Sequence, residues 1–255
     1  MMLKVLCEGP DDIAALREIG TSLFGATVRP NPATAGPAGE SRQLSLTVEQ
    51  NHVVVTASRS GKSGLPGLLV AELNQLPIKD RPDDPNALQC ITVLFDPDDE
   101  LPEKMWVRLA DGVSAKAPKW SLEGSPGHWT ARRGADEVVI VCAVHWRSPG
   151  DIVDGLPDKQ NLERRLCYVA ALAHPNEAKI VERWLGEIPQ DGNKPSWKAA
   201  LHLWCALIEP KASESNAAAR FLHQNETCRP HVRSAIEQVS LFKDLSAALG
   251  FSQPT

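Results

Sequence analysis

The sequence has no apolar run near the roughly 20 residues a membrane-crossing helix needs, no Cys-x-x-Cys pair and no excess of Lys and Arg. Each absence removes a class of protein. The first leaves no segment suited to spanning a bilayer, so a membrane is not among the expected partners. The second argues against a zinc or disulfide framework, and no close Cys/His spacing of the kind zinc takes is present either. Cys7, Cys90, Cys142, Cys167, Cys205 and Cys228 stand singly in apolar segments and read as reduced, buried core residues. The third counts against a general nucleic-acid-binding protein: phosphate affinity comes from surplus positive charge, and the net charge here is -5. Any contact with nucleic acid must be local, metal-assisted or supplied by a partner. The apolar opening from Met1 to Cys7 meets Glu8 too early for a secretory segment, which needs about 7 to 15 apolar residues. A cytoplasmic location is therefore expected. Internal repeats and low-complexity segments are also missing.

What is present suits a folded protein: 255 residues, 42% hydrophobic and 23% charged, enough to bury a substantial core. Leu3 to Cys7 reads as a buried strand that stops at Glu8-Gly9-Pro10. A helix follows with Ile13, Leu16, Leu23 and Phe24 on one face and Asp11 or Asp12 at its N-cap. Val28 to Ser41 is a Pro- and Gly-rich loop. Leu44 to Glu49 and Val53 to Ala57 read as two strands, or as a hairpin turned at Gln50-Asn51, with a helix from about Leu65 to Leu76. After a polar loop from Asp80 to Asn86, Ile91 to Phe95 is a short buried strand that ends in Asp96-Pro97-Asp98-Asp99-Glu100. Val138 to Val144 is another, and Trp120 to Arg133 is a hairpin in an insertion at about 97–136. Beyond Pro157 the pattern is helical throughout: about Asn161 to Ala173, Asn176 to Glu187, Ser196 to Ile208, Ser215 to His223 and Pro230 to Leu249. Alternating strands and helices followed by helices alone predict an α/β core over 1–156 and a helical C-terminal region over 157–255 packing on it.

In an open parallel sheet, functional groups collect at the carboxyl ends of the strands. Glu8 and Asp96 both stand there. A hard ion such as Mg²⁺ takes oxygen ligands, commonly one or two carboxylates with waters and phosphate oxygens, and a glutamate on one strand end beside Asp96-Pro97-Asp98 on another meets that need. Pro97 stiffens the loop, and Gly9 permits close approach of a phosphate or of backbone.

Cys7-Glu8-Gly9-Pro10-Asp11-Asp12 after the first strand, with Phe95-Asp96-Pro97-Asp98 after a later one, resembles the signature of the TOPRIM domain found in topoisomerases, bacterial primases and OLD-type nucleases. The nearest likeness is to small stand-alone bacterial TOPRIM proteins related to the OLD-type nucleases. Residues 1–100 carry the better motifs and 155–250 a looser match, through Leu162-Glu163 at a helix start and Lys198 on an apolar helix. The resemblance implies a Rossmann-like, mostly parallel sheet flanked by helices. It further implies that Glu8, Asp96 and Asp98 bind one metal or act with it, that Asp12 and Glu163 help hold a second, and that Lys198 steadies charge on the scissile phosphate. The metal would be Mg²⁺, with Mn²⁺ as a substitute. Proline between the paired aspartates departs from many relatives, and the long insertion, placed to cover the site or meet a partner, is another departure.

Plainer explanations stand beside these. An acidic turn before a helix is a common capping arrangement, and Glu163 suits a helix start whatever its function. Lys198 and His202 flank the stripe Trp197, Leu201, Trp204 and Ile208, which most simply packs the helix on the core. Neither His202 nor His145 is read as a metal ligand. Thr56-Ala57-Ser58-Arg59-Ser60-Gly61-Lys62-Ser63 lacks the first glycine of a P-loop and reads as a loop whose Lys62 touches phosphate at most. Trp106, Trp120, Trp129 and Trp146 offer either a stacking surface for bases or core packing. The resulting expectation is a Mg²⁺-dependent nuclease acting on DNA or RNA, in phage defence or genome maintenance. The alternative is a non-catalytic TOPRIM-fold recognition or assembly subunit of an ATPase-containing complex. Nucleic acid is the expected partner, with an ATPase, another protein or a second copy of the chain as further candidates. The enzyme requires Glu8, Asp96 and Asp98 to converge on one ion, and salt bridges from Arg or Lys would count against it.

Overall fold

The first strand, β1 (Met2–Cys7), buries Leu3, Val5, Leu6 and Cys7 on its two faces, with Lys4 ion-paired to Glu72, as suits a strand covered from above and below. It sits at the centre of a sheet whose further strands are β2 (Thr27–Arg29), β3 (Gln43–Val48), β4 (Asn51–Ala57), β5 (Leu88–Phe95), β6 (Ser121–Ser125), β7 (His128–Arg133) and β8 (Glu137–His145). The computed structural model describes residues 2–29, 43–48, 51–76, 88–98, 100–134, 137–146, 161–187, 196–208, 226–228 and 230–231, excepting the side chains of 22–24, 48, 89, 137 and 197. The order across the sheet is β2-β3-β4-β1-β5-β8-β7-β6. Its four central strands, β4, β1, β5 and β8, run parallel, and antiparallel strands extend it on both edges. This is an α/β fold with a Rossmann-like parallel centre.

Helices cover both faces. On one side lie α1 (Pro10–Phe24), α4 (Leu162–Ala173), α5 (Pro175–Glu187) and α6 (Trp197–Ile208), which share one apolar cluster with Leu3, Val5, Val53, Val55 and Leu94. On the other side α2 (Leu65–Gln75) and α3 (Pro102–Lys116) pack against each other and over Leu6, Ile91, Val93, Phe95 and Val141. Among the described residues no helix is long and apolar enough to cross a membrane.

The hairpin expected at Gln50-Asn51, the strand ending at Phe95, the hairpin over Trp120 to Arg133 and the helices near 161–173, 176–187 and 196–208 are all present. One reading is corrected and another extended. The N-cap of α1 is Gly9, not Asp11 or Asp12; Asp12 lies three residues inside, where its carboxylate reaches back to accept the Gly9 N–H at 3.0 Å. That is the reciprocal arm of a capping box, and it leaves Pro10 in the first turn, where no backbone N–H is missed. The insertion holds a helix as well as the expected hairpin. Its hairpin pairs with β8 and completes the sheet, and its helix α3, unanticipated because Met105, Leu109 and Val113 make only a narrow apolar stripe, buries that stripe beneath the sheet. The loops expected over Val28–Ser41 (beyond Arg29) and Asp80–Asn86, and the helices over Ser215–His223 and Pro230–Leu249 (beyond His231), lie outside the described residues, as do the boundary at 156/157 and the side chains of Leu23 and Phe24.

Candidate acidic site

Four adjacent parallel strands bring four segments to one rim. β4 leads into Ser58, β1 into Glu8, β5 into Asp96 and β8 into Trp146. Backbone bonds hold these exits in register past the strands: Ser58 N–H donates to Cys7 O at 2.8 Å and Trp146 N–H to Phe95 O at 3.1 Å. The helix after β1 covers one face of the sheet and the helix after β5 the other, so the chain changes side between these two neighbours. A crevice at such a switch point is the usual binding place in open α/β sheets.

Across that point Asp96 N–H donates to Glu8 Oε1 at 2.7 Å. Asp96 Oδ1 in turn accepts the N–H of Leu162, the first residue of α4, at 3.2 Å. That helix start is set by Asn161, whose side chain accepts Arg164 N–H at 2.9 Å, and it brings Glu163 to the same rim. Both α1 and α4 therefore direct positive dipole ends toward the carboxylates. Asp12 is buried, with Oδ1 accepting Trp146 Nε1–H at 2.6 Å and Oδ2 accepting Gly9 N–H.

The charges oppose one another. Burial, reinforced by Asp12, Glu8, Glu163 and Asp98, holds the Asp96 carboxyl well above the usual carboxylate range. Asp96 keeps some open surface while protein surrounds most of it, so it is enclosed yet reachable. Burial raises Glu8 from 4.5 to about 7, with Asp12 and Asp98 adding to the rise and the Asp96 N–H and Lys62 opposing it. Burial likewise raises Asp12 from 3.8 to about 6 against the Trp146 and Gly9 hydrogen bonds, and Glu163 and Asp11 add to the rise. Glu163 is raised by burial, with Asp11 and Asp98 adding to it; its own backbone N–H and Lys198 pull the other way.

Two lysines face this group. Lys198 is exposed on α6, near enough to Glu163 to act on its charge. Lys62, from the turn between β4 and α2, donates to Asp98 Oδ2 at 2.6 Å, to Asp96 O at 2.9 Å and to Pro97 O at 3.4 Å. Asp98 has φ 55, the left-handed region that side-chain-bearing residues rarely adopt.

Glu8, Asp12, Asp98 and Glu163 are thus all within electrostatic reach of Asp96. Among the described residues no three His, Cys, Asp or Glu side chains are arranged to hold a metal ion. Asp12 has both oxygens on protein donors, and Asp98 is paired with Lys62. Glu8 and Asp96 each have one oxygen outside the hydrogen bonds described above, and with Glu163 they provide an oxygen-only donor set. Its donor chemistry and excess negative charge fit a hard divalent ion, although its side chains are not closed around a point.

No family model matches the chain, and no curated protein does. Among solved structures, the chain is similar to a hypothetical protein from Pyrococcus horikoshii OT3, with 15% identity, 98% of this chain and 99% of that one covered, and a TM-score of 0.65. The two share a fold. A second likeness, to TioX from Micromonospora sp. ML1, has 11% identity over 56% of this chain and 96% of that one; its TM-score of 0.19 carries nothing about fold.

Other sequence readings resolve differently. Of the four tryptophans, Trp120, Trp129 and Trp146 are buried in the fold, and half-buried Trp106 lies so close to Gly127 that a Cβ there would meet its ring at 3.1 Å. Trp120 donates to Leu73 O at 3.1 Å, so its polar edge is used inside the fold. His145 is buried against Phe95, with ring centroids 5.7 Å apart, and His202 is exposed. Lys62 serves the acidic turn, a role its P-loop-like setting did not suggest. The sequence offered no sign that Trp146 would anchor Asp12, 134 residues away.

Proposed function

We propose that the chain is a divalent-metal-dependent phosphodiester hydrolase acting on nucleic acid, with a TOPRIM-type acidic centre at Glu8, Asp96 and Glu163. The observation that carries this reading is Asp96, enclosed at the switch point of the sheet with four other carboxylates that push its pKa up. So much like charge in one place disfavours the ionised state unless a cation joins it. When bound, Mg²⁺ or Mn²⁺ would supply a Lewis acid and a water made nucleophilic near neutral pH.

The chain's own residues would do the rest. Glu8 and Asp96, tied by the Asp96 N–H, offer oxygens from neighbouring strand ends, and Glu163 adds one from the start of α4. Lys198, exposed beside Glu163, is placed to meet a phosphate. Asp12 aligns the first turn of α1 and accepts a hydrogen bond from the Trp146 indole N–H, a supporting role. The resemblance to OLD-type relatives extends the proposal to a cytoplasmic role in phage defence or genome maintenance, with an ATPase partner or a second copy of the chain as candidates.

A second reading, the non-catalytic recognition or assembly subunit, is favoured by the Lys62–Asp98 ion pair, which removes one of the expected ligands. Calorimetry with Mg²⁺ and Mn²⁺ on wild type and Asp96→Asn, beside cleavage assays on plasmid, single-stranded DNA and RNA, separates the two. The enzyme reading expects saturable binding that the substitution weakens at least about tenfold, and cleavage that falls on the order of 100-fold. If wild type takes up neither ion at millimolar concentration and cuts nothing, the second reading replaces the first.

A further inference from the structure

The turn from Ser58 to Gly64 is built more tightly than a connection between a strand and a helix requires. Ser60 N–H donates to Ser58 Oγ at 3.2 Å, and Ser63 Oγ–H to Ser60 O at 2.8 Å. Gly61 has φ +58, and a Cβ on Gly64 would come within 2.1 Å of Ser58 Oγ, so a side chain at either position would disturb the turn. The side chain this turn presents to the acidic rim is that of Lys62.

Its ammonium has three protons, and three oxygens of the Asp96–Asp98 turn receive them: Asp98 Oδ2 at 2.6 Å, Asp96 O at 2.9 Å and Pro97 O at 3.4 Å. Two carbonyls and a carboxylate around one point are also what a hard metal cation takes. The left-handed backbone of Asp98 belongs to the same clasp, since such a conformation in a non-glycine residue persists only where its surroundings hold it.

We propose that Lys62 is a positioning residue of the acidic centre, its ammonium filling a three-oxygen cation site at the Asp96–Asp98 turn that a second divalent ion would otherwise take. The centre then accepts a divalent ion beside Glu8, Asp96 and Glu163 and none at Asp98, while Lys62 supplies the fixed positive charge there and sets the turn that carries Asp96. This rests on the reading of the centre as a divalent-cation site.

The test counts Mn²⁺ bound per full-length chain, by calorimetry and by the electron paramagnetic resonance of free Mn²⁺, in wild type, Lys62→Met and Lys62→Met/Asp98→Asn. Lys62→Met is expected to take up one more ion per chain than wild type, and the double variant to lose the extra one. Equal, non-zero numbers in wild type and Lys62→Met overturn the Lys62 assignment and leave the metal reading standing. No ion bound by either overturns both. Should Lys62→Met not fold, side-chain ammonium NMR on wild type and Asp98→Asn decides instead. A slowly exchanging Lys62 signal that disappears in Asp98→Asn supports the clasp, and a wild type without that signal overturns it.

Discussion

Leu109 and Asp96 are set against the same sheet, one beneath it on α3 and the other at its carboxyl rim, and burial acts on them in opposite ways. Under α2 and α3 the neighbours are Leu65, Leu69, Leu73, Val93, Phe95 and Val113, all at most 1% exposed, and closing that layer to water stabilises the fold at any pH. At the rim the enclosed groups are carboxylates, and enclosure there disfavours their charged form. One region contributes stability at any pH, while the other holds like charges together at a cost that depends on pH. Phe95 and Asp96, consecutive residues, mark the boundary.

The largest effect that would test this contrast belongs to the dry layer. Leu109→Ala is expected to cost about 2–5 kcal/mol through lost contacts and the cavity left behind. Urea unfolding should give the same loss at about pH 5 and about pH 8; a strongly pH-dependent loss would mean that the two regions are not separate.

The rim should behave in the reverse manner. Glu8 titrates at about 7 in the folded chain against an ordinary value of 4.5, and Asp12 at about 6 against 3.8. The folded state therefore holds these protons more tightly. Their contribution is complete below the ordinary values and is lost as pH rises through 6 and 7. Wild type without metal is expected to lose stability between about pH 5 and pH 8. Glu8→Gln, which keeps an oxygen for the Asp96 N–H, should recover up to about 3 kcal/mol at pH 8, because one pKa unit corresponds to roughly 1.4 kcal/mol. Little gain is expected at pH 5. Saturating Mn²⁺ should remove much of the pH dependence in wild type, and unfolding curves with and without the ion would show it.

The smallest effect is expected on the solvent-exposed surface of the edge hairpin. Glu123 and Arg132 form an ion pair across the exposed β6–β7 hairpin at 3.1 Å, with side chains 59% and 43% exposed. Glu123→Ala should change stability by no more than about 0.5 kcal/mol, since water already solvates both partners. A larger loss in a thermal melt would show that the edge hairpin is a weak point of the sheet.

Much of the fold was legible because its signals are local. Uninterrupted apolar runs such as Ile91 to Phe95 mark covered strands, and the helices near 161–173 and 196–208 have apolar residues at helical spacing. Helix α3 is hard to read from sequence because Met105, Leu109 and Val113 are its buried positions within a charged segment, and β2 because its three exposed residues carry no apolar alternation. At the site, the strand-end positions of Glu8 and Asp96 could be read directly. The functions of Asp12, Asp98 and Lys62 could not, because each is defined by a contact across the fold: Trp146 for Asp12 and Lys62 for Asp98.

The sequence by itself determined where the strands end and that carboxylates follow two of them, since apolar periodicity and its abrupt interruption need no distant partner to be recognised. Tertiary structure alone decided which of those carboxylates remain available. Side-by-side packing of β4, β1, β5 and β8 brings a lysine from one strand exit and a tryptophan from another against Asp98 and Asp12, and hydrogen bonding at 2.6 Å commits both acids. Contacts of that kind depend on short distances between segments far apart in the chain, which local periodicity does not encode.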